Sequence, residues 1–190
     1  MNEQNEKLTE KQLNDLYNLF EQKILENADK FKEKRFKDDE LIQLLLKTIL
    51  LKEQQTKIGI LKYIDLETID FTNQNIIFID LTETNINTNL DPQTLKDKSI
   101  QGVKLKGDYK DKSFNGVCVK GVDFSKAKNV IIHPQKLAKG DLTDTICSGI
   151  NFCNESFDGI NYSGADFSKA INCVINKSKY YNLKTKILKI

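Results

Sequence analysis

Large apolar residues at every fifth position constrain the fold of this chain more than any other feature of its sequence. They run from Leu66 to Phe167. An α-helix brings apolar residues back at every third and fourth position, and a half-buried strand at every second. A sustained period of five fits neither, so it predicts a chain that turns a corner at every fifth residue and points one side chain of each unit inward.

We expect the central residues of these five-residue units to form a ladder of buried side chains. The members of the predicted ladder are Leu66, Phe71, Ile76, Leu81, Leu95, Ile100, Leu105, Phe114, Val119, Phe124, Leu137, Leu142, Cys147, Phe152, Phe157, Tyr162 and Phe167. Each such side chain contributes about 1.5–3 kcal/mol when it is buried. The period is interrupted by steps of only four residues from Ile86 to Leu90 and from Leu105 to Tyr109, and again between Phe124 and Ile132.

The units that follow the pattern most closely place Asp before the central residue and two polar residues after it in most cases. They are Ile64–Thr68, Ile69–Asn73, Ile79–Glu83 and Ala165–Lys169. These units resemble the pentapeptide-repeat family, and the resemblance covers residues 60–175. It implies a mainly β fold, a right-handed quadrilateral β-helix in which the Leu or Phe of each unit faces inward and coils stack on one another.

A longer duplication overlies the short period. Asp91–Leu95 returns as His133–Leu137, and Ser113–Val117 returns as Ser156–Ile160. A duplication leaves such repeats behind even without selection for binding, so we assign them no role. If a site exists, we would first examine the outward features that the copies share: the corners Asp91-Pro92-Gln93 and His133-Pro134-Gln135, and the faces that carry Gly116 and Gly159.

The chain divides into three segments by pattern and charge. Residues 1–59 are predicted to be a helical N-terminal cap or hairpin, residues 60–175 carry the repeat, and residues 176–190 form a basic C-terminal tail or cap with five lysines and no acidic residue. The helical segment either covers the first unit of the repeat or binds a partner, and a dimerising role is a further alternative.

Local signals place the two helices within the first segment. Thr9 followed by Gln12 is a capping-box pattern, and an acidic N-cap at Asp38 or Asp39 precedes a second apolar face. A basic link, residues 30–37, joins them. No stretch has the pattern of a signal peptide or a membrane span.

Residues suited to catalysis or metal binding are sparse. The four cysteines show no CxxC pair and no Cys/His ligand spacing, and this usage favours the reducing cytoplasm. The single histidine, His133, stands where the earlier copy has Asp91, so we expect it to shape a turn. Asp and Asn recur just before the central residues, where they can bond to nearby backbone. The sequence therefore predicts no enzyme, no catalytic, metal-binding or cofactor-binding residues, and no cofactor.

Charge narrows the classes of partner. Residues 60–175 hold 13 lysines against 15 acidic residues, whereas mimicry of DNA, as in pentapeptide-repeat proteins that act on gyrase, requires a strong negative field. The interspersed lysines do not form the basic stripe that nucleic acid requires. We therefore predict a non-catalytic protein-interaction or scaffold module, a monomer or homodimer with an unidentified protein partner. The alternatives are a gyrase- or topoisomerase-modulating protein and an accessory domain of a translocated effector.

Overall fold

Three α-helices occupy the N-terminal part of the chain. The structure, a computed structural model, describes residues 8–86 and 90–175, so the predicted C-terminal tail at 176–190 lies outside the described residues. The helices are α1 (Glu10–Glu26), α2 (Ala28–Glu33) and α3 (Asp39–Thr56). Short 3₁₀ helices follow at Ile60–Tyr63, Lys96–Lys98, Pro134–Lys136 and Ala138–Gly140.

Side-chain caps set where the two long helices begin. The Thr9 hydroxyl accepts a hydrogen bond from the backbone of Gln12, and the Gln12 side chain accepts one from the backbone of Thr9, which completes the predicted capping box. The Asp38 carboxylate accepts from the backbone of Leu41 at the start of α3. The link predicted between them is not all irregular, because α2 occupies part of it.

Within residues 8–86 and 90–175, regular β structure is confined to two parallel strands, β1 (Lys104–Asp108) and β2 (Asp123–Lys128). β1 covers the place where the five-residue period slips from Leu105 to Tyr109, and β2 begins near Phe124, where the period is interrupted again. After a register shift between Lys104 and Lys106, consecutive residues of β1 pair with consecutive residues of β2.

Elsewhere the chain returns beside itself through single parallel bridges. Asn151 bridges to Ile131 on one side and to Ile171 on the other, each 20 residues away, and Asp141 bridges to Asn161 at the same spacing. A hydrogen-bonded turn interrupts each bridge before a second consecutive pair forms, as when the backbone NH of Ile150 donates to the carbonyl of Cys147.

The predicted fold class, a mainly β right-handed quadrilateral β-helix, is therefore wrong. Helices account for about 33% of the described residues, the two strands form one small open sheet, and no β-helix solenoid is detected in residues 8–86 and 90–175. The fold is mixed. The period of five predicted where the chain turns, but it did not predict that the corners would leave too few consecutive paired residues to make strands.

All residues of the predicted inward ladder are buried, the most exposed being Leu137 at 7%. They belong to one continuous core that also includes the buried faces of α1 and α3. Aromatic rings meet inside it: the ring centroids of Phe152 and Phe157 lie 5.0 Å apart, and those of Phe157 and Phe167 lie 5.5 Å apart.

In many of the units, the residue just before the ladder position shapes the following corner. Asp70 Oδ1 accepts a hydrogen bond from the backbone NH of Thr72 at 2.8 Å, and Asp166 Oδ1 accepts from Ser168 at 2.9 Å. The same bond from a side chain to the backbone two residues on recurs through the repeat. The recurring Asp and Asn residues are thus explained by backbone geometry.

α3 lies against the first units of the repeat and binds their backbone. The Gln43 amide donates to the carbonyl of Asp70 at 3.0 Å and accepts from its NH at 2.9 Å. Near the other end of α3, the Gln54 amide donates to the carbonyl of Ile77 at 3.0 Å. These bonds satisfy backbone groups that would otherwise face solvent at the start of the repeat.

Among the helices of the described ranges, none combines the length and apolar character needed to cross a membrane.

Candidate functional site

The strongest candidate site is a groove of about 440 Å³ between the C-terminal end of α3 and the neighbouring turns of the repeat. We call it the Phe78 groove. Its lining residues are Glu53, Lys57, Gly59, Leu61, Lys62, Phe78, Ile79, Asp80, Thr82, Glu83, Thr84, Gly102 and Lys104. The volume lies in the range of small-ligand sites.

Phe78 is the unusual residue of this groove. Its side chain is 58% exposed, and its backbone is left-handed, with φ of +60°. A bulky residue in this conformation is strained, because its Cβ crowds the backbone. An exposed aromatic side chain on a strained backbone adds little to the free energy of unfolding.

The same corner elsewhere holds residues that tolerate a positive φ. Two places after a ladder residue, the chain is left-handed at Asn73, Phe78, Asp97, Gly102, Gly107, Asp111, Gly116, Gly121, Lys139, Asp144, Gly149, Asn154, Gly159 and Gly164. Apart from Phe78 and Lys139, every residue in this set is Gly, Asn or Asp. An aromatic residue at this corner therefore departs from the rule that its own repeat follows.

Gly102 makes room for the ring. A Cβ at position 102 would overlap the Phe78 ring, and the backbone NH of Phe78 donates to the carbonyl of Gln101 at 2.8 Å. The ring therefore lies close to the backbone of the next turn at Gly102, and it remains largely exposed where it lines the groove.

Acidic and basic side chains pair across the groove. Lys104 Nζ lies 2.7 Å from Asp80 Oδ2, and Lys62 Nζ lies 4.0 Å from Glu83 Oε2. Burial alone would raise the pKa of Asp80, but hydrogen bonds from Lys104 and Thr82 outweigh it and hold that pKa below its ordinary value. The hydrogen bond to Asp80 raises the pKa of Lys104. Both groups are therefore charged over the neutral range.

Glu53 closes the helical end of the groove. Its carboxylate accepts hydrogen bonds from the backbone NH groups of Gly59 at 3.0 Å and Ile60 at 2.6 Å. The side chain is only 9% exposed. Glu53 thus fixes the chain that leaves α3 and is not available to a ligand.

The duplicated corners named from the sequence have structural roles. The Gln93 amide donates to the carbonyls of Ser113 at 3.0 Å and Asn115 at 2.7 Å. Gln135 makes the equivalent bonds in the second copy, at 3.2 Å to Ser156 and 2.7 Å to Asp158. Each glutamine holds one turn of the chain to the next.

The duplication also preserves a cross-turn pair but exchanges the positions of its acidic and basic residues. In the first copy Asp91 Oδ2 lies 3.5 Å from Lys112 Nζ, and in the second His133 Nδ1 lies 2.6 Å from Glu155 Oε1. The acid and the base have changed places. His133 therefore joins two turns, in addition to standing at the N-cap of the 3₁₀ helix that starts with Pro134.

The other two corner positions, Gly116 and Gly159, are left-handed and face open space. A Cβ added at either position would have no atom of a neighbouring turn within 4 Å. The structure thus brings none of the sequence-named corners into the Phe78 groove.

Reactive chemistry is sparse in the described residues. No group of three or more His, Cys, Asp or Glu residues in 8–86 and 90–175 could hold a metal ion. All four cysteines are free. Burial raises the pKa of the Cys147 thiol and raises that of Cys173 to about 12, so neither is an activated nucleophile.

Sequence reasoning missed Phe78 as a site residue. A signal was present, since Phe78 stands two places after Ile76, at a corner that is otherwise mostly Gly, Asn or Asp. Comparison with family models, with curated proteins and with solved structures finds no match to this chain. The resemblance to pentapeptide-repeat proteins therefore stays a prediction from motifs, and function has to be argued from the groove.

Proposed function

We propose that this protein is a non-catalytic protein-interaction module and that its partner binds in the Phe78 groove. The observation that carries the proposal is Phe78 itself, an aromatic side chain that is 58% exposed in a strained backbone conformation. Residues with strained backbone cluster at active sites and ligand-binding sites. Aromatic residues, Phe included, are also enriched at protein interfaces.

The paired charges of the groove support a protein partner over nucleic acid. Three lysines and three carboxylates line the groove, so it carries no net positive charge of the kind that attracts the phosphates of nucleic acid. Nor does it present the acidic face that DNA mimicry by a topoisomerase-modulating protein requires. The four free cysteines support placing the module in the cytoplasm.

The test is affinity capture from the native host with three full-length baits: the wild-type chain, Phe78→Asn and Ile131→Asn. Asn tolerates the left-handed corner, and Ile131 is a matched control because it is 47% exposed and does not line the groove. We expect one protein to be retained by the wild-type and control baits. Phe78→Asn should weaken its affinity by about 30-fold, the effect of losing about 2 kcal/mol at a dominant interface residue.

Equal retention by all three baits would place the partner elsewhere on the surface and overturn the groove as the site. If the wild-type bait retains no protein above background, the result would count against the interaction module itself.

A further inference from the structure

Most polar side chains that line the Phe78 groove already have partners. Thr82 Oγ1 donates to Asp80 Oδ1 at 2.7 Å, and Thr84 Oγ1 donates to the carbonyl of Leu81 at 2.8 Å. The carboxylates of Asp80 and Glu83 are paired with lysines, and that of Glu53 is used by backbone NH groups. A ligand therefore finds few free acceptors in this groove.

Two groups remain unused: the exposed part of the Phe78 side chain and the ammonium group of Lys57. Within residues 8–86 and 90–175, the Lys57 side chain has no ion-pair or hydrogen-bond partner. Lys57 ends α3 in a left-handed conformation, and its backbone NH donates to the carbonyl of Glu53. The residue is therefore held at the groove by its main chain while its charge stays free.

We propose that the Phe78 groove recognises a short peptide segment in which a large apolar side chain lies next to a carboxylate. The apolar side chain packs on the Phe78 ring, and the carboxylate pairs with Lys57. Lys57 is the lysine of the groove that has no acidic partner among the described residues, so a ligand carboxylate is complementary to it. A volume of about 440 Å³ accommodates a few residues of a partner and not a folded domain. This inference rests on the proposed interaction function and names its ligand chemistry.

Peptide titrations followed by the backbone amide resonances of Lys57 and Gly102 test this chemistry. The probes are acetylated and amidated hexapeptides with the sequence Gly-Ser-Phe-Asp-Ser-Gly and two matched versions, one with Lys in place of Asp and one with Ala in place of Phe. We expect the first peptide to shift both resonances. The Lys version should bind about fivefold more weakly, the effect of one exposed charge pair, and the Ala version should not bind measurably.

Two variants assign the charge preference to one residue. Lys57→Gln should bring the affinity ratio of the Asp and Lys peptides to about one, whereas Lys139→Gln, an exposed lysine that does not line the groove, should leave the ratio unchanged. N-acetylphenylalanine serves as a free small carboxylate. Binding of this compound as tightly as the peptide would overturn the peptide assignment.

Equal affinity of the wild-type protein for the Asp and Lys peptides would overturn the charge chemistry, and so would a preference that survives Lys57→Gln. If partner capture still depends on Phe78 in that case, the proposed function stands and only its ligand class is wrong. If no peptide shifts the groove resonances and no captured protein depends on Phe78, both proposals fail.

Discussion

Replacement of Phe78 tests whether its ring is kept for stability or for binding. At 58% exposure the side chain is a little over two fifths buried. Full burial of such a side chain is worth about 1.5–3 kcal/mol, so its contacts contribute about 0.6–1.3 kcal/mol. The left-handed backbone costs a bulky residue about 1–2 kcal/mol, and Asn adopts it more readily. We expect Phe78→Asn to change the free energy of unfolding by no more than about 1 kcal/mol.

Gly102→Ala supplies the second half of a double-mutant cycle with Phe78→Asn. Its new Cβ would be strained at φ of +66° and would also overlap the Phe78 ring, so we expect a loss of about 2–3 kcal/mol. In the Phe78→Asn background only the backbone cost remains. The two substitutions should therefore couple by about 1 kcal/mol.

Gly116→Ala is the matched control, because φ at this position is +70° but nothing lies within 4 Å of the added Cβ. It should cost about 1–2 kcal/mol and should not couple to Phe78→Asn. Urea unfolding followed by far-ultraviolet circular dichroism measures all variants, since the chain has no tryptophan. A loss above about 2 kcal/mol for Phe78→Asn would mean that the ring holds the fold together, and the case for a binding residue would collapse.

Three further predictions concern charge and reactivity. Glu155→Lys should lower the free energy of unfolding by about 0.5–1 kcal/mol, and adding His133→Asp should restore it, because the double variant recreates the pair of the first copy; urea unfolding that shows no recovery would contradict this. Iodoacetamide at pH 8 should modify exposed Cys153 in the native protein but not Cys173, whose pKa burial raises to about 12; mass spectrometry that finds both modified at equal rates would oppose the stated burial. The pKa of Asp80 is lowered on folding, so its contribution to stability is complete above about pH 4 and is lost as the pH falls through the lower folded-state value. Asp80→Asn should therefore flatten the fall in unfolding free energy below pH 4, and an unchanged slope would argue against the pairing with Lys104.

Local patterns in the sequence predicted local structure well. The capping box at Thr9 starts α1, and the acidic residue Asp38 caps α3. The central positions of the five-residue units are buried, as Leu66 and Phe167 illustrate at the two ends of the repeat. These features depend on a few neighbouring residues, so their causes are visible in a short stretch of sequence.

The fold class was wrong because strand formation depends on pairing between turns. Among the described residues, regular strands formed only around Leu105 and Phe124, where the period slips. The sequence period gives the spacing of corners but not the number of consecutive bridges between neighbouring turns. The contact of His133 with Glu155, 22 residues away, also depends on how neighbouring turns lie beside each other, so the sequence period did not predict it.

The bridges that join each turn to the next also determine how the chain closes during folding. Asn151 meets Ile131 and Ile171 at equal separations of 20 residues, so successive closures carry nearly the same loop entropy, which grows only with the logarithm of loop length. Within the repeat, such closures do not depend on residues far along the chain. Mixed α/β domains fold at rates between those of helical bundles and all-β domains, and a nascent chain can pair each turn about 20 residues after the last.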